Sequence, residues 1–317
     1  MDAAYVTGFD PENPLAALVV GDRPEPSHPA DDWVTIEVRA SSLNHHDLWS
    51  LRGVGLAAER LPMILGCDAA GVDPEGNEVV LYPVVADPAD PRGLSILSEH
   101  HQGTFAERVT VPRGNLIPKP AGLSFTDAAC LPTAWLTAYR MLTSRGRVDQ
   151  GESVLVQGAG GGVATAAVIL AAALGKRVYA TSRDAAKRDR ITELGATAVE
   201  PGARLPERVD VVIETVGAAT FDHSMKSAAF GGRIVVSGAT SGYEPKVDLR
   251  RVFAMQLEIL GSSMGTPDEL AELLDLCQAR GIRPVVDQVY GFSQVRAAFA
   301  RLDSGETFGK VVLDHAS

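Results

Sequence analysis

The stretch VLVQGAGGGVA, Val154 to Ala164, decides the fold. Ser153 to Gln157 (SVLVQ) is a continuous apolar run of strand length, glycines follow it, and a small-residue helix is expected over Val163 to Leu174. Small residues suit a turn whose backbone N–H groups approach a pyrophosphate closely. The helix N-terminus behind the turn supplies unsatisfied donors and a partial positive charge. The spacing departs from a strict GxGxxG and reads Gly158-x-x-Gly161-x-x-Ala164. With a strand before, a helix after and a second strand about 20 residues on, the pattern points to a dinucleotide. Gly158, Ala159, Gly160, Gly161, Gly162 and Val163 are its expected phosphate contacts.

Working outward, Arg177 to Thr181 reads as the next strand, Asp184 to Leu194 as a helix, and Ala198 lies in a short strand. Val209 to Glu214 and Arg233 to Ser237 are two further buried strands around a helix at Phe221 to Ala228. Apolar strands alternating with helices predict a doubly wound parallel sheet, an α/β Rossmann arrangement. The end of the second strand distinguishes the two nicotinamide cofactors. An NAD site places an acid there to hold the ribose hydroxyls. Here Ser182 and Arg183 come first, no acid appears until Asp184, and Lys187 follows. An arginine fork, a hydroxyl and an ammonium suit a 2′-phosphate, so NADPH is the expected cofactor. Gly238, Ala239 and Thr240 follow a later strand at the sheet's carboxyl edge, where such sheets bind ligands.

The first 120 residues have a different texture. Short β-like runs (Val34–Val38, Glu78–Leu81, Ala106–Val111) between proline and glycine signals predict a β-rich, barrel-like domain. DPADPR, Asp87 to Arg92, reads as a surface loop, NLIPKPAG, Asn115 to Gly122, as a domain crossover, and the texture changes from Asp149. The last part is mixed, with helices near Glu269–Arg280 and Ser293–Leu302 and strands at Val285–Val289 and Lys310–Leu313. A chain of 317 residues suits two domains. Its 29 basic and 40 acidic residues give a net charge of −11, which argues against nucleic acid and anionic membranes as partners. Three scattered cysteines without CxxC indicate neither a disulfide framework nor a zinc knuckle. No leader pattern or bilayer-length apolar run is present, so a cytoplasmic protein is expected.

The chain resembles the medium-chain dehydrogenase/reductase superfamily, specifically its zinc-independent quinone oxidoreductase-like branch. The resemblance rests on SLNHHDLWSLRG (Ser42–Gly53), LPMILGCDAAG (Leu61–Gly71), GTFAERVTVP (Gly103–Pro112), ACLPTAWLTAYRML (Ala129–Leu142), the glycine turn and FGKVVL (Phe308–Leu313). It implies a GroES-like β-rich catalytic domain from residues 1–123 and 265–317 and a Rossmann domain from 124–264, with substrate bound over the nicotinamide, and a homodimer. Zinc alcohol dehydrogenases of the superfamily carry metal ligands at positions matching Asn44, Cys67 and a site near Thr133. Asparagine and threonine are poor zinc ligands, so no metal is expected.

The resemblance also implies site residues. Asn44 would donate its amide to a substrate carbonyl as charge develops there, and His46, matching a proton-relaying hydroxyl, would act as relay or serve structure. His45, Thr133, Thr137, Met264, Gly265, Phe308, Gly309 and Lys310 would approach the cofactor. Asp47 is expected to orient its loop, and Cys67 and Cys130 to pack in the interior. The expected reaction is hydride transfer from NADPH to a quinone or an α,β-unsaturated carbonyl. Two other readings stay open: an alcohol/carbonyl dehydrogenase with an atypical metal site at Cys67 and Asp68, and a non-catalytic NADPH-binding sensor.

Overall fold

The computed structural model describes residues 1–88, 90–148 and 152–316. Part of the DPADPR loop and the texture change at Asp149 therefore lie outside the described residues. Two compact units form, one from Met1–Thr133 with Leu270–Ser317 and one from Ala134–Glu269.

The second unit is a six-stranded, all-parallel sheet. Its strands lie in the order Thr197–Val199, Arg177–Thr181, Ser153–Val156, Val209–Glu214, Ala228–Val236, Glu258–Gly261. This is the doubly wound order. The direction of winding reverses between Ser153–Val156 and Val209–Glu214, and such a switch point opens a crevice at the strands' carboxyl ends. All four residues of Ser153–Val156 are buried, as a strand covered on both faces requires. The helix Gly162–Ala173 follows it, and its small side chains (Ala164, Ala166, Ala167, Ala171) are buried. Beneath the other flank, Leu155, Val212, Phe221, Met225 and Ile234 share one core.

The first unit is β-rich. Seven strands pair in one sheet that runs Leu116–Pro118, Glu78–Leu81, Asp68–Val72, Trp33–Ser42, Lys310–Asp314, Val286–Gly291, with Arg108–Pro112 also on Trp33–Ser42. A three-stranded sheet of Asp2–Val6, Leu18–Asp22 and Met63–Ile64 accompanies it. Both chain ends build one core: Val6, Leu18, Leu51 and Phe105 pack with Val295, Phe299, Leu302 and Val311. Phe105 and Phe299 meet edge to face at 5.7 Å.

One expectation needs correction. Asn115 to Gly122 is not a crossover between units. Leu116–Pro118 pairs antiparallel with Glu78–Leu81, and the Asn115 amide donates to the carbonyls of Tyr82 and Val84. The compact units divide at Thr133/Ala134 and Glu269/Leu270, beside the expected 123/124 and 264/265. The short helix Phe125–Ala128 packs on the strands Trp33–Ser42 and Asp68–Val72, which keeps it with the first unit.

Candidate active site

The glycine turn sits at the winding switch. Gly158 leaves the first strand at φ +67°, and a Cβ on it would lie 2.5 Å from Val216 Cγ2, just beyond the neighbouring strand. Glycine is required there for both reasons. The Gly158 N–H donates to Thr181 Oγ1 at 2.9 Å and the Ala159 N–H to the Thr181 carbonyl at 2.7 Å. Gly161 then caps the helix Gly162–Ala173 with no side chain over its first turn, which leaves backbone N–H groups for an anion. A Cβ on Gly160 would lie 3.4 Å from Lys187 Cδ and 3.7 Å from its Nζ. The turn thus combines open amides with an ammonium, the chemistry of a phosphate site.

A buried polar network that the sequence reading missed holds this turn. Thr181 Oγ1 donates to Gln157 Oε1, while Gln157 Nε2 donates to Ser224 Oγ and His223 Nδ1. His223 Nε2 faces the Ala203 carbonyl at 2.9 Å and must carry the proton, so Nδ1 is the acceptor for Gln157. Glu214, fully buried, accepts from the N–H groups of Val216 and Gly217 and the hydroxyls of Thr220 and Ser224. The available signal was a polar residue at the end of each apolar strand: Gln157, Thr181, Glu214.

Beyond the second strand, Arg183 is exposed and Ser182 Oγ accepts from Asp184 N–H. Asp184 is spent capping the helix Ala185–Glu193, where its carboxylate accepts from Lys187 N–H. Arg188, not foreseen, donates to the carbonyls of Ser182 and Arg183 and so orders this corner. Gly238, Ala239 and Thr240 lie on a loop zipped to the one after Val209–Glu214: Thr240 N–H donates to Thr215 O, and Ser241 N–H to Val216 O. Met264 takes φ +48°, a strained value for a side chain of its size, with its sulfur 4.0 Å from the Thr137 hydroxyl. Gly265 is closed to any side chain by Leu136.

In the first unit, Asn44 caps the helix His45–Leu51 in a capping box with Asp47. Asp47 accepts from the N–H groups of Asn44 and Gly66, which fits its expected orienting role, and burial pushes its carboxyl up to about 6. The Asn44 amide is clamped at both ends. Its Oδ1 accepts from Lys310 Nζ at 2.6 Å, and its Nδ2 donates to Asp68 Oδ2 at 2.9 Å. One Nδ2 proton remains. Ser42 Oγ also donates to Asp68, while Asp68 Oδ1 is buried without a hydrogen-bond partner among the described residues.

Lys310, Phe308 and Gly309, expected near the cofactor, meet their partners within the first unit. Lys310 Nζ has three acceptors (Leu43 O, Asn44 Oδ1 and Asp68 Oδ2), which uses all three ammonium protons. Phe308 is 1% exposed, and a Cβ on Gly309 would strike the Val285 carbonyl at 2.1 Å. Of the two readings of His46, relay or structure, its contacts favour the structural one. Its Nε2 lies 3.2 Å from Glu99 Oε1 and its Nδ1 3.4 Å from Cys67 Sγ, so neither nitrogen is left for substrate. Burial opposes charge on His46, but the Cys67 sulfur, Glu99 and Asp47 outweigh it and hold the imidazole well above its ordinary range. His45 is exposed; crowding by neighbouring atoms, then the Lys310 and Arg52 charges, lowers its pKa. The Thr133 hydroxyl is buried with no partner among the described residues. Cys130 is interior and burial pushes its thiol up to about 12.

The residues at the superfamily's zinc positions do not fit a zinc ion. Asn44 offers an amide already clamped at both ends and Thr133 a hydroxyl. The Lys310 ammonium already occupies the acceptors Asn44 Oδ1 and Asp68 Oδ2, where a second cation would be repelled.

A doubly wound cofactor unit joined to a GroES-like β-rich unit made from both chain ends is the architecture of an oxidoreductase. Residues 30–121 match the alcohol dehydrogenase GroES-like domain, and residues 187–313 the zinc-binding dehydrogenase family. The chain is 30% identical to a zinc-type alcohol dehydrogenase-like protein of Schizosaccharomyces pombe, over 97% of this chain and 96% of that one. It is also 30% identical to the acryloyl-coenzyme A reductase of Metallosphaera sedula, over 90% and 93%. A solved NAD-dependent alcohol dehydrogenase superposes with a TM-score of 0.88 at 34% identity, covering 99% of both chains. The chain belongs to the medium-chain dehydrogenase/reductase superfamily.

Proposed function

We propose that this protein is an NADPH-dependent reductase that delivers a hydride to an electron-poor acceptor, a quinone or an α,β-unsaturated carbonyl, without a metal in the reaction. The observation that carries the reading is the Asn44 amide, locked between an ammonium and a carboxylate with one N–H to spare. Bound NADPH would supply the hydride. As it reaches the acceptor, negative charge grows on the carbonyl oxygen, and a donor fixed in advance stabilises it without reorganising. Lys310 polarises the amide from its oxygen end, which makes the free N–H a stronger donor. An acryloyl-coenzyme A reductase among the relatives supports the enone over the quinone.

For the cofactor, Lys187 beside Gly160 and the cationic Arg183 favour a phosphate, and Asp184 Oδ1 is held in its helix cap by the Lys187 N–H. Relatives include an NAD-dependent enzyme, so the preference for NADPH rests on these side chains. The three thiols are all free and buried, which suits a reducing cytoplasm. We also assign a homodimer through the edge strand Glu258–Gly261, which pairs on one side only and lies in a unit exposing Phe230 (66%) and Phe253 (72%).

The test is NADPH oxidation by purified protein with enone and quinone panels. Asn44→Ala should lower kcat about tenfold to a thousandfold, as loss of an oxyanion donor does, with the NADPH Kd unchanged. Arg183→Ala with Lys187→Ala should weaken NADPH about tenfold or more and spare NADH. No turnover with any acceptor, or equal loss of both nucleotides, would overturn the reading.

A further inference from the structure

We propose that His46, Asp47 and Cys67 form a binding site for one divalent, zinc-class cation, distinct from the positions at which the superfamily's zinc enzymes hold their metal. Of these three only Cys67 falls on a position of that older set.

The three donors come from two segments. His46 and Asp47 stand on the first turn of the helix His45–Leu51, and Cys67 immediately precedes the strand Asp68–Val72. One nitrogen, one carboxylate oxygen and one sulfur all lie within 4.8 Å of one another. Zinc holds such ligands tetrahedrally at about 2.0–2.3 Å, which spaces any two of them roughly 3–4 Å apart. The 3.4 Å between Cys67 Sγ and His46 Nδ1 already has that spacing.

The tautomer is prepared as well. Glu99 faces His46 Nε2 at 3.2 Å, so once a cation displaces the Nδ1 proton the ring still donates to Glu99 from Nε2 and its Nδ1 lone pair faces Cys67. This is the carboxylate–histidine pairing that orients metal ligands from behind. Each Asp47 oxygen accepts a single backbone N–H, from Asn44 or from Gly66, and keeps a lone pair. Beyond the sulfur, Ser98 takes φ +64°, uncommon for a residue with a side chain. The turn it makes brings the Leu97 carbonyl to 3.3 Å and the Ser98 hydroxyl to 3.7 Å from Cys67 Sγ, and so offers an oxygen for a fourth position.

Charge selects the ion. A Cys67 thiolate and an Asp47 carboxylate with a neutral His46 carry two negative charges, which a divalent cation cancels. The nearby fixed cations are already paired, Lys310 with Asp68 and Arg92 with Asp90 and Glu99. Thiolate and imidazole favour a borderline-soft ion over magnesium or calcium. The bound ion would tie the start of the His45–Leu51 helix to the turn at Leu97 and Ser98; the proposed hydride transfer does not run through it.

Cobalt(II) is the probe. Full-length protein stripped with a chelator is titrated with cobalt chloride and followed by absorption. One equivalent should raise a thiolate-to-cobalt charge-transfer band together with the intense visible bands of a four-coordinate ion. Cys67→Ser should abolish the charge-transfer band, whereas Cys130→Ser should keep it. Glu99→Gln, at a partly exposed position outside the ligand set, should weaken cobalt binding about tenfold to a hundredfold. Wild-type protein without the band at one equivalent overturns the proposal. So does a band that survives Cys67→Ser or disappears in Cys130→Ser. Should Cys67→Ser fail to fold, unchanged cobalt affinity in Glu99→Gln overturns it by itself. Activity is not the readout, so the outcome is independent of the proposed reductase reaction.

Discussion

Lys310→Met would remove the charge that organises the Asn44 amide while keeping the length of the side chain. The ammonium is 3% exposed and its partner Asp68 fully buried, at 3.2 Å. Its other bonds go to Leu43 O at 2.7 Å and Asn44 Oδ1 at 2.6 Å. Removing one partner of a buried pair strands the other charge, at a cost of about 3–5 kcal/mol. Asp68→Asn in the same background removes the stranded charge, so the double variant should recover to within about 1–2 kcal/mol of wild type. Urea unfolding read by Trp33 and Trp49 fluorescence, with Trp135→Phe as a common background, follows the first unit alone. In turnover, the freed amide should lower kcat with little change in the NADPH Kd. A single-variant cost below about 1 kcal/mol, or a double variant as unstable as the sum of the two singles, would refute the clamp.

Gly158→Ala should abolish dinucleotide binding in a protein that still folds. It places a Cβ 2.5 Å from Val216 Cγ2 at φ +67°, and isothermal titration with NADPH checks it. His315 gives a pH signature. Burial pushes its imidazole down to about 4 while its Nε2 meets Ser41 Oγ at 2.8 Å. The folded value lies below the unfolded one near 6.5, so its stabilisation is present above pH 6.5 and lost as pH falls toward 4. The loss is at most about 3 kcal/mol, less for a ring only part-buried, and His315→Gln should flatten the stability–pH curve across that window.

Much of the fold was legible because burial imposes a period that local sequence records. Ser153–Gln157, Arg177–Thr181 and Val209–Glu214 read as covered parallel strands, and that is how they lie. The segment 115–122 misled because proline and glycine mark turns inside a sheet as readily as turns between domains. The same limit met Lys310. The resemblance placed Lys310 near the cofactor, and only its distances to Leu43, Asn44 and Asp68, far away in sequence, show where its protons go.

By itself, then, the sequence determined the doubly wound sheet, the glycine turn with its open helix end and the cationic corner at Ser182, Arg183 and Lys187, since each depends on residues close together in the chain. The tertiary structure alone decided which partners His46, Asn44, Cys67 and Lys310 meet. Their roles depend on which partner reaches each polar atom, and those partners (Glu99, Asp68, Leu97 and Leu43) arrive through strand pairing and loop closure over long separations. A side chain's type sets how many hydrogen bonds and charges it can offer; the fold sets how many are still unspent at the site.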